Sequence, residues 1–243
     1  MAINHSTAQS VKPLQRMFSA IPKRYDLINH VITLGMDKNW RKKAALTCLY
    51  SYPARILDIC CGTGDLTISI AQLTDYSPEI IGVDYSQPML ELAEEKAALL
   101  AKRENIKFMY ADVSQLPFLD NYFDCVGVSF AFRNLTYKNP LAQVHLGELL
   151  RVLKPGGEYI IVESSQPRSS VIRKFYHLYL CYFVFPVGFL ISGNKAAYHY
   201  LAESAAHFYS AEEVQDFLMK AGFKHVSFQR LFLGAAAIYT AIK

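Results

Sequence analysis

Metal-binding and disulfide motifs are missing from this chain of 243 residues. Its five cysteines form no C-x-x-C pair, and no set of cysteines and histidines has the spacing of a zinc site. We therefore expect no metal. No run of lysine and arginine has interleaved aromatics, so we also expect no nucleic-acid partner. Residues 1–13 lack an apolar signal core. We therefore expect a cytoplasmic protein with reduced thiols, which could work at the inner face of the membrane.

Charge is also scarce, at 19% of the residues, while apolar residues make up 52% and mean hydropathy is +0.12. This balance supports one large core and suggests an apolar ligand or a membrane surface. We predict a single domain over 1–243. Helical patterns over 16–49 predict an N-terminal cap, and those over about 168–205 predict an insertion on the lid or substrate side.

Between these helical segments, strand and helix patterns alternate. This order predicts an α/β fold with a mostly parallel sheet covered by helices on both faces. In such a sheet ligands bind outside the carboxyl ends of the strands. Seven runs are typical of strands: 55–60, 79–84, 106–110, 123–130, 158–163, 224–231 and 236–242.

A glycine loop follows the first strand. Asp58 lies at the end of that strand, Gly62 and Gly64 follow it, and Asp84 ends the next strand. A carboxylate at that place accepts hydrogen bonds from ribose hydroxyls, which fits either a nicotinamide dinucleotide or S-adenosylmethionine. Thr67 stands where the dinucleotide fingerprint needs a third glycine, so the loop favours the second ligand. The remaining alternative is a strand–helix turn without any ligand.

Asp112 ends the third strand, where a carboxylate can face an adenine amine. The alternative is that Asp112 is simply solvated at the surface. His145, on a predicted helix with Gln143 and Glu148, is expected at the surface.

These motifs resemble those of class I methyltransferases, which bind S-adenosylmethionine on a Rossmann-like sheet of seven strands. The resemblance rests on the glycine loop at 57–65, the second strand with Met89 and Leu90, the segments 116–118 and 123–124, and the turn at 153–157.

Three further segments are similar to signatures of the UbiE/MenG family, the methyltransferases of ubiquinone and menaquinone synthesis. They are FSAIPKRYDLIN at 18–29, FAFRNL at 130–135 and YHYLAES at 198–204. The chain departs from this family at Cys61, Phe132 and Asn194. We expect Phe132, where a glycine is usual, to narrow the substrate side, and Cys61 to tighten the cofactor turn.

The resemblance implies S-adenosylmethionine-dependent C-methylation of a prenylated quinol. The quinol would be demethylmenaquinol, the 2-methoxy-6-polyprenyl-1,4-benzoquinol of ubiquinone synthesis, or both. Alternatives are a methyltransferase of another small apolar molecule and a non-catalytic protein that only binds the cofactor. The cofactor-binding residues that the resemblance implies are Tyr25, Asp58, Gly62, Thr63, Gly64, Asp84, Asp112, Val113 and Ser129.

Three residues are implied at the reacting end. Arg133 follows the fourth strand and would stabilise a phenolate, or else pair with a carboxylate to fix its loop. Tyr25 would cap the cofactor or relay a proton, or else pack in a lid. Asn134 would orient a substrate oxygen or cap the next turn.

Residues 175–191 are apolar except for His177. They predict either a buried lid or a tunnel for the prenyl tail that rests on a membrane surface. This run is too short and too aromatic for a membrane span, and Pro186 and Gly188 are expected to interrupt it. A homodimer is compatible with these patterns.

Overall fold

The computed structural model describes the backbone of residues 22–100 and 103–243, and the side chains of this part from Asp26 onward. Residues 16–21 of the predicted N-terminal cap therefore fall outside the described residues. Tyr25 lies in a helix by its backbone, but its side chain is outside the described part, so its two predicted roles stay predictions.

Helices and strands alternate through the first two thirds of the chain, as the patterns predict. In chain order the elements are α1 (Pro22–Ile32), α2 (Met36–Leu49), β1 (Arg55–Ile59), α3 (Asp65–Leu73), β2 (Glu79–Asp84), α4 (Gln87–Ala97), β3 (Ile106–Tyr110), β4 (Phe123–Ser129), α5 (Phe132–Thr136), α6 (Ala142–Val152) and β5 (Leu153–Ser164).

The insertion and the C-terminal elements follow. They are α7 (Ser170–Tyr179), a π-helical turn (Leu180–Val184), α8 (Phe185–Ser192), α9 (Lys195–Ala206), α10 (Ala211–Ala221), β6 (His225–Leu231) and β7 (Ala236–Ile242). A capping box between Ser210 and Glu213 begins α10, and Gly222 ends it at φ 113°, so both predicted helix boundaries are confirmed.

One sheet of seven strands organises the described residues, in the order β3-β2-β1-β4-β5-β7-β6. All pairs from β3 to β5 are parallel, and β7 runs antiparallel to both β5 and β6. The predicted α/β architecture with a mostly parallel sheet is confirmed. The strand order reverses between β1 and β4, and ligands bind at this kind of switch point.

The central strands are apolar on both faces because helices cover both. Leu57 of β1 packs with α6 and α10 on one face, while its neighbour Ile56 packs with α2 and α3 on the other. Buried continuous strands of this kind are typical of parallel sheets. The fold thus leaves the carboxyl ends of β1, β2 and β4 at one edge, where the glycine loop lies.

The insertion differs from its prediction. Ser170–Ser192 is one helical segment of 23 residues, with a mean hydropathy of 1.6 over its most apolar window. Pro186 does not interrupt it, since it falls in the first turn of α8, directly after the π-helical turn. By length and composition alone the segment could cross a membrane, which by itself is weak support for a span.

Candidate functional site

The glycine loop turns sharply through residues with left-handed backbone. Gly62 has φ 55° and Gly64 has φ 79°. A Cβ on Gly64 would lie 2.9 Å from the Phe108 ring, so this glycine allows close packing of the loop on β3. A Cβ on Gly62 would meet nothing within 4 Å, which means that the loop presents open space at this residue.

Asp84 ties this loop to the end of β2. Its carboxylate accepts hydrogen bonds from the backbone N–H of Gly62 at 2.9 Å and of Ser86 at 2.8 Å. Burial raises the pKa of Asp84, and these backbone donors oppose that rise. A carboxylate has about four acceptor positions, so Asp84 can also accept from the hydroxyls of a ribose.

Two buried polar atoms near the loop have no hydrogen-bond partner in the described part of the chain. They are Oδ1 of Asp58 on β1 and Oγ of Ser129 on β4. The other Asp58 oxygen accepts from the N–H and the hydroxyl of Thr67, at 3.0 and 2.6 Å. Burial raises the pKa of Asp58 to about 7. Unsatisfied acceptors at the carboxyl ends of adjoining strands fit a cofactor with an amino acid moiety and hydroxyl groups.

The remaining predicted cofactor residues lie beside this centre. Asp112 is exposed, and its Oδ1 accepts a hydrogen bond from the Ser114 N–H at 2.8 Å. This position is compatible with both alternatives, contact with an adenine amine and solvation at the surface. The Val113 side chain is buried in the core. Contact between Val113 and a ligand would therefore come from its backbone.

A polar network holds α1 over the glycine loop. Thr63 donates a hydrogen bond to Asp26 at 2.7 Å. Lys96 contacts Asp26 at 2.9 Å, Thr63 at 3.0 Å and Asp65 as an ion pair. Arg41 joins the network through Asp65 at 3.0 Å. Sequence reasoning missed these links because they join side chains up to 70 residues apart without any periodic signal.

A cavity of about 380 Å³ lies beyond β4, between α1, α2 and the insertion. Its walls are mostly apolar or aromatic. Among the residues that line it are Trp40, Phe130, Leu180, Val184, Tyr198 and Leu201. A largely apolar space of this size suits a ring with an attached hydrocarbon tail.

Arg133 brings positive charge to this cavity. It is 4% exposed and donates from Nη1 to the Ser164 hydroxyl at 2.7 Å and to Glu163 at 3.4 Å. Its backbone N–H donates to Glu163 at 3.0 Å. The structure therefore contains the predicted carboxylate pair and also places Arg133 in the cavity lining, so the pairing does not exclude a role at the substrate.

Asn134 and Tyr200 also line the cavity, in contact with each other. The Tyr200 hydroxyl donates to the Asn134 side chain at 3.4 Å, and burial raises the pKa of Tyr200. The backbone carbonyl of Asn134 accepts a hydrogen bond from the Asn139 side chain, which leaves the Asn134 side chain to Tyr200. The side chain of Asn134 therefore faces the insertion, where it can contact a substrate oxygen.

Two predictions about this region are wrong. Phe132 is completely buried among Tyr159 and Phe208 and is not part of the cavity lining, so it cannot narrow the substrate side. His145 is also buried, and its Nδ1 lies 3.0 Å from the Leu135 carbonyl. The loop after β4 directs Arg133 to the cavity and Phe132 to the core, because consecutive residues of a helical turn point in different directions.

The whole chain is similar to known methyltransferases. A model described as the ubiE/COQ5 methyltransferase family matches residues 5–243. The chain is 37% identical over 230 residues to a demethylmenaquinone methyltransferase of Lactiplantibacillus plantarum, with 95% of each chain covered. It is also 37% identical over 244 residues to a demethylmenaquinone methyltransferase of Staphylococcus aureus strain JH9, with 100% of this chain and 97% of the relative covered.

Solved structures support the fold. A SAM dependent methyltransferase from Aquifex aeolicus has a TM-score of 0.54 and 19% identity, covering 78% of this chain and 81% of its own. An O-methyltransferase family protein from Burkholderia thailandensis has a TM-score of 0.65 and 10% identity, covering 90% and 59%. At such low identity, this likeness shows the class I methyltransferase fold and nothing about substrate.

Proposed function

Since the chain belongs to the ubiE/COQ5 methyltransferase family and uses S-adenosylmethionine, we propose that it methylates a ring carbon of a prenylated quinol. The first substrate to consider is demethylmenaquinol, because the relatives at 37% identity are demethylmenaquinone methyltransferases. The observation that carries the proposal is the apolar cavity with Arg133 and Ser164 in its lining.

The cofactor would be held at the carboxyl ends of β1, β2 and β4. Asp84 would accept from its ribose, the open space at Gly62 would admit its chain, and the unsatisfied oxygens of Asp58 and Ser129 would meet its polar groups. When bound, S-adenosylmethionine supplies an electrophilic methyl group on a positively charged sulfur. The chain's own residues must then orient the ring and manage one proton.

The quinol ring would lie at the end of the cavity where Arg133, Asn134 and Tyr200 meet. A guanidinium stabilises negative charge on a phenolic oxygen, and that oxygen makes the adjacent ring carbon more electron-rich. The buried surroundings strengthen this effect because little water screens the charge. Asn134 and Tyr200 can orient the ring through its oxygens. Tyr25 stays a predicted proton relay or cofactor cap.

The prenyl tail would run between the aromatic residues of the insertion. Phe175, Phe232 and Leu233 line the cavity and are also exposed, so they mark where it opens. The adjacent outer surface of the insertion is apolar, with Tyr182 and Leu190 each 78% exposed. We propose that this surface rests on the inner face of a membrane, from which a lipid-soluble quinol would enter the cavity.

The direct test supplies labelled S-adenosylmethionine with demethylmenaquinol in one reaction and 2-methoxy-6-polyprenyl-1,4-benzoquinol in another, both chemically reduced in detergent. Label in the extracted naphthoquinol supports the proposal. Label in the benzoquinol would extend the function to ubiquinone synthesis. Cofactor binding by calorimetry without label in either lipid would refute a quinol substrate and favour another apolar acceptor or a non-catalytic role.

A further inference from the structure

The Ser164 hydroxyl lies between a buried ion pair and the cavity. Its Oγ is 2.7 Å from Arg133 Nη1 and 2.8 Å from Glu163 Oε1, and Ser164 is part of the cavity lining. Glu163 is fully buried and does not line the cavity itself. Ser164, like Arg133, therefore connects the Glu163 carboxylate with the cavity.

The chemistry of its two partners fixes the direction of the Ser164 hydrogen bonds. A guanidinium only donates, so Arg133 must donate to the serine oxygen. An ionised carboxylate only accepts, so the serine proton must point to Glu163. A hydroxyl oxygen has two acceptor positions, and Arg133 occupies one. The second can receive a proton donor from the cavity, and a phenol is such a donor.

We propose that Ser164 and Glu163 form a proton relay for the phenol of the bound quinol, an inference that rests on the proposed function. The phenol O–H donates to Ser164, and Ser164 donates to Glu163. A reduced quinol can make this bond, whereas the carbonyl oxygen of a quinone has no proton to donate. The same pair of residues therefore favours the reduced form of the substrate.

The proton moves together with methyl transfer. As the ring carbon bonds to the methyl carbon, the methyl–sulfur bond breaks with its electron pair left on sulfur, and the phenolic oxygen becomes a carbonyl. Its proton passes to Ser164 while the serine proton passes to Glu163, which neutralises the carboxylate. The ring carbon then loses its hydrogen to water, and the relay returns a proton to the oxygen. One proton is released overall.

A carboxylate is a sufficient acceptor here because the phenol becomes strongly acidic as its ring carbon forms the new bond. Arg133 contributes by holding both the carboxylate and the hydroxyl in place, at 3.4 and 2.7 Å. Ser164 is the group that touches the substrate, and Glu163 acts through it.

The test compares S164A, S164T and the matched control S165A, a buried serine one residue along that is outside the cavity lining. Each variant is first checked for cofactor binding by calorimetry. Then kcat and KM for demethylmenaquinol are measured across pH. We expect S164A to lose about 100-fold in kcat near neutral pH, with KM within about threefold of the wild type.

A pH profile separates a relay from a structural role. Without the relay the phenol must ionise into solvent, so log kcat of S164A should rise with pH, while the wild-type profile is flatter. S164T keeps the hydroxyl and should recover most of the rate, and E163Q should show the same rise as S164A. An S164A variant with the wild-type pH profile, or no recovery in S164T, would overturn the relay. No transfer by the wild type would instead refute the quinol substrate.

Discussion

Gly188 of α8 and the Tyr198 ring of α9 are packed in direct contact. A Cβ built on Gly188 would lie 2.0 Å from Tyr198 Cδ1, a distance that no real pair of carbon atoms tolerates. Tyr198 is itself buried and lines the apolar cavity. The spacing of α8 and α9, and with it one wall of the cavity, therefore depends on the absence of a side chain at Gly188.

Gly188→Ala should consequently disturb the substrate wall without affecting the cofactor site. We expect a lower melting temperature and a KM for demethylmenaquinol raised about tenfold, because the added methyl displaces Tyr198. The Kd for S-adenosylmethionine should stay unchanged. Gly147→Ala is the matched control, since a Cβ at this helical glycine meets nothing within 4 Å. It should raise stability by roughly 0.5–1 kcal/mol. Equal KM values for Gly188→Ala and Gly147→Ala would contradict the prediction that contact between residue 188 and Tyr198 shapes the cavity.

Asp84→Asn should weaken cofactor binding. The amide keeps the shape of the carboxylate but loses the charge. Gly62 and Ser86 donate to different oxygens of Asp84, so the amide nitrogen replaces one of these two acceptors and that hydrogen bond is lost. Hydrogen bonds to charged groups contribute about 1.5–3 kcal/mol, so we expect the Kd for S-adenosylmethionine to rise roughly 10- to 100-fold in calorimetry. Glu91→Gln removes the same charge from an exposed position of α4 and should leave the Kd unchanged. An unaffected D84N variant would remove Asp84 from the cofactor site.

Asp58 should make stability depend on pH. Its pKa is about 7 in the folded protein and 3.8 ordinarily, so between these values the folded state binds the proton more tightly than the unfolded state. The resulting stabilisation is fully present below pH about 4 and is lost as pH rises through about 7. Asp58→Asn cannot titrate. Denaturant unfolding at pH about 5 and about 8 should therefore give a smaller difference in free energy for D58N than for the wild type. An identical difference would show that Asp58 is not responsible.

Replacing apolar residues on the outer surface of the insertion should reduce membrane binding. Segment 170–192 contains Arg173 and Lys174 and no acidic residue, which favours anionic lipid. We expect the double variant Y182S/L190S to sediment less with vesicles of phosphatidylglycerol, because both side chains are exposed and neither lines the cavity.

The control for that experiment is Y50S/L119S, which removes equally exposed apolar side chains elsewhere, at 83% and 75%. It should sediment like the wild type, and both double variants should methylate a short-tailed quinol in detergent at the wild-type rate. Equal loss of sedimentation in both would indicate a general effect of surface hydrophobicity and not a defined membrane face.

The cofactor half of the molecule was largely predictable because its signals are local. Two buried strands and the glycine turn after the first of them specify β1, β2 and the loop at Gly62 and Gly64 within about thirty residues. The boundaries of α10 were equally clear, since the capping box and Gly222 act through neighbouring backbone groups. In such segments local preference and tertiary packing agree.

The direction of single side chains was harder to predict. His145 has polar neighbours in sequence, yet it shares the inner face of α6 with Ala142, Leu146, Leu149 and Val152. This spacing of three and four residues outweighs the polarity of one residue. The position of Phe132 in a motif predicts a place on the substrate side, but the turn after β4 directs it into the core.

The helical segment Ser170–Ser192 of the insertion has an inner face toward the cavity and an outer face toward solvent. Tyr176, Leu180 and Val184 line the cavity, whereas Leu178 and Tyr182 point outward. Because these positions alternate along one segment, substitutions on the inner face can retune the length of tail accepted without altering the outer face. The reverse also holds. Under the proposed function, selection or protein engineering could therefore change the accepted tail and the proposed membrane contact separately.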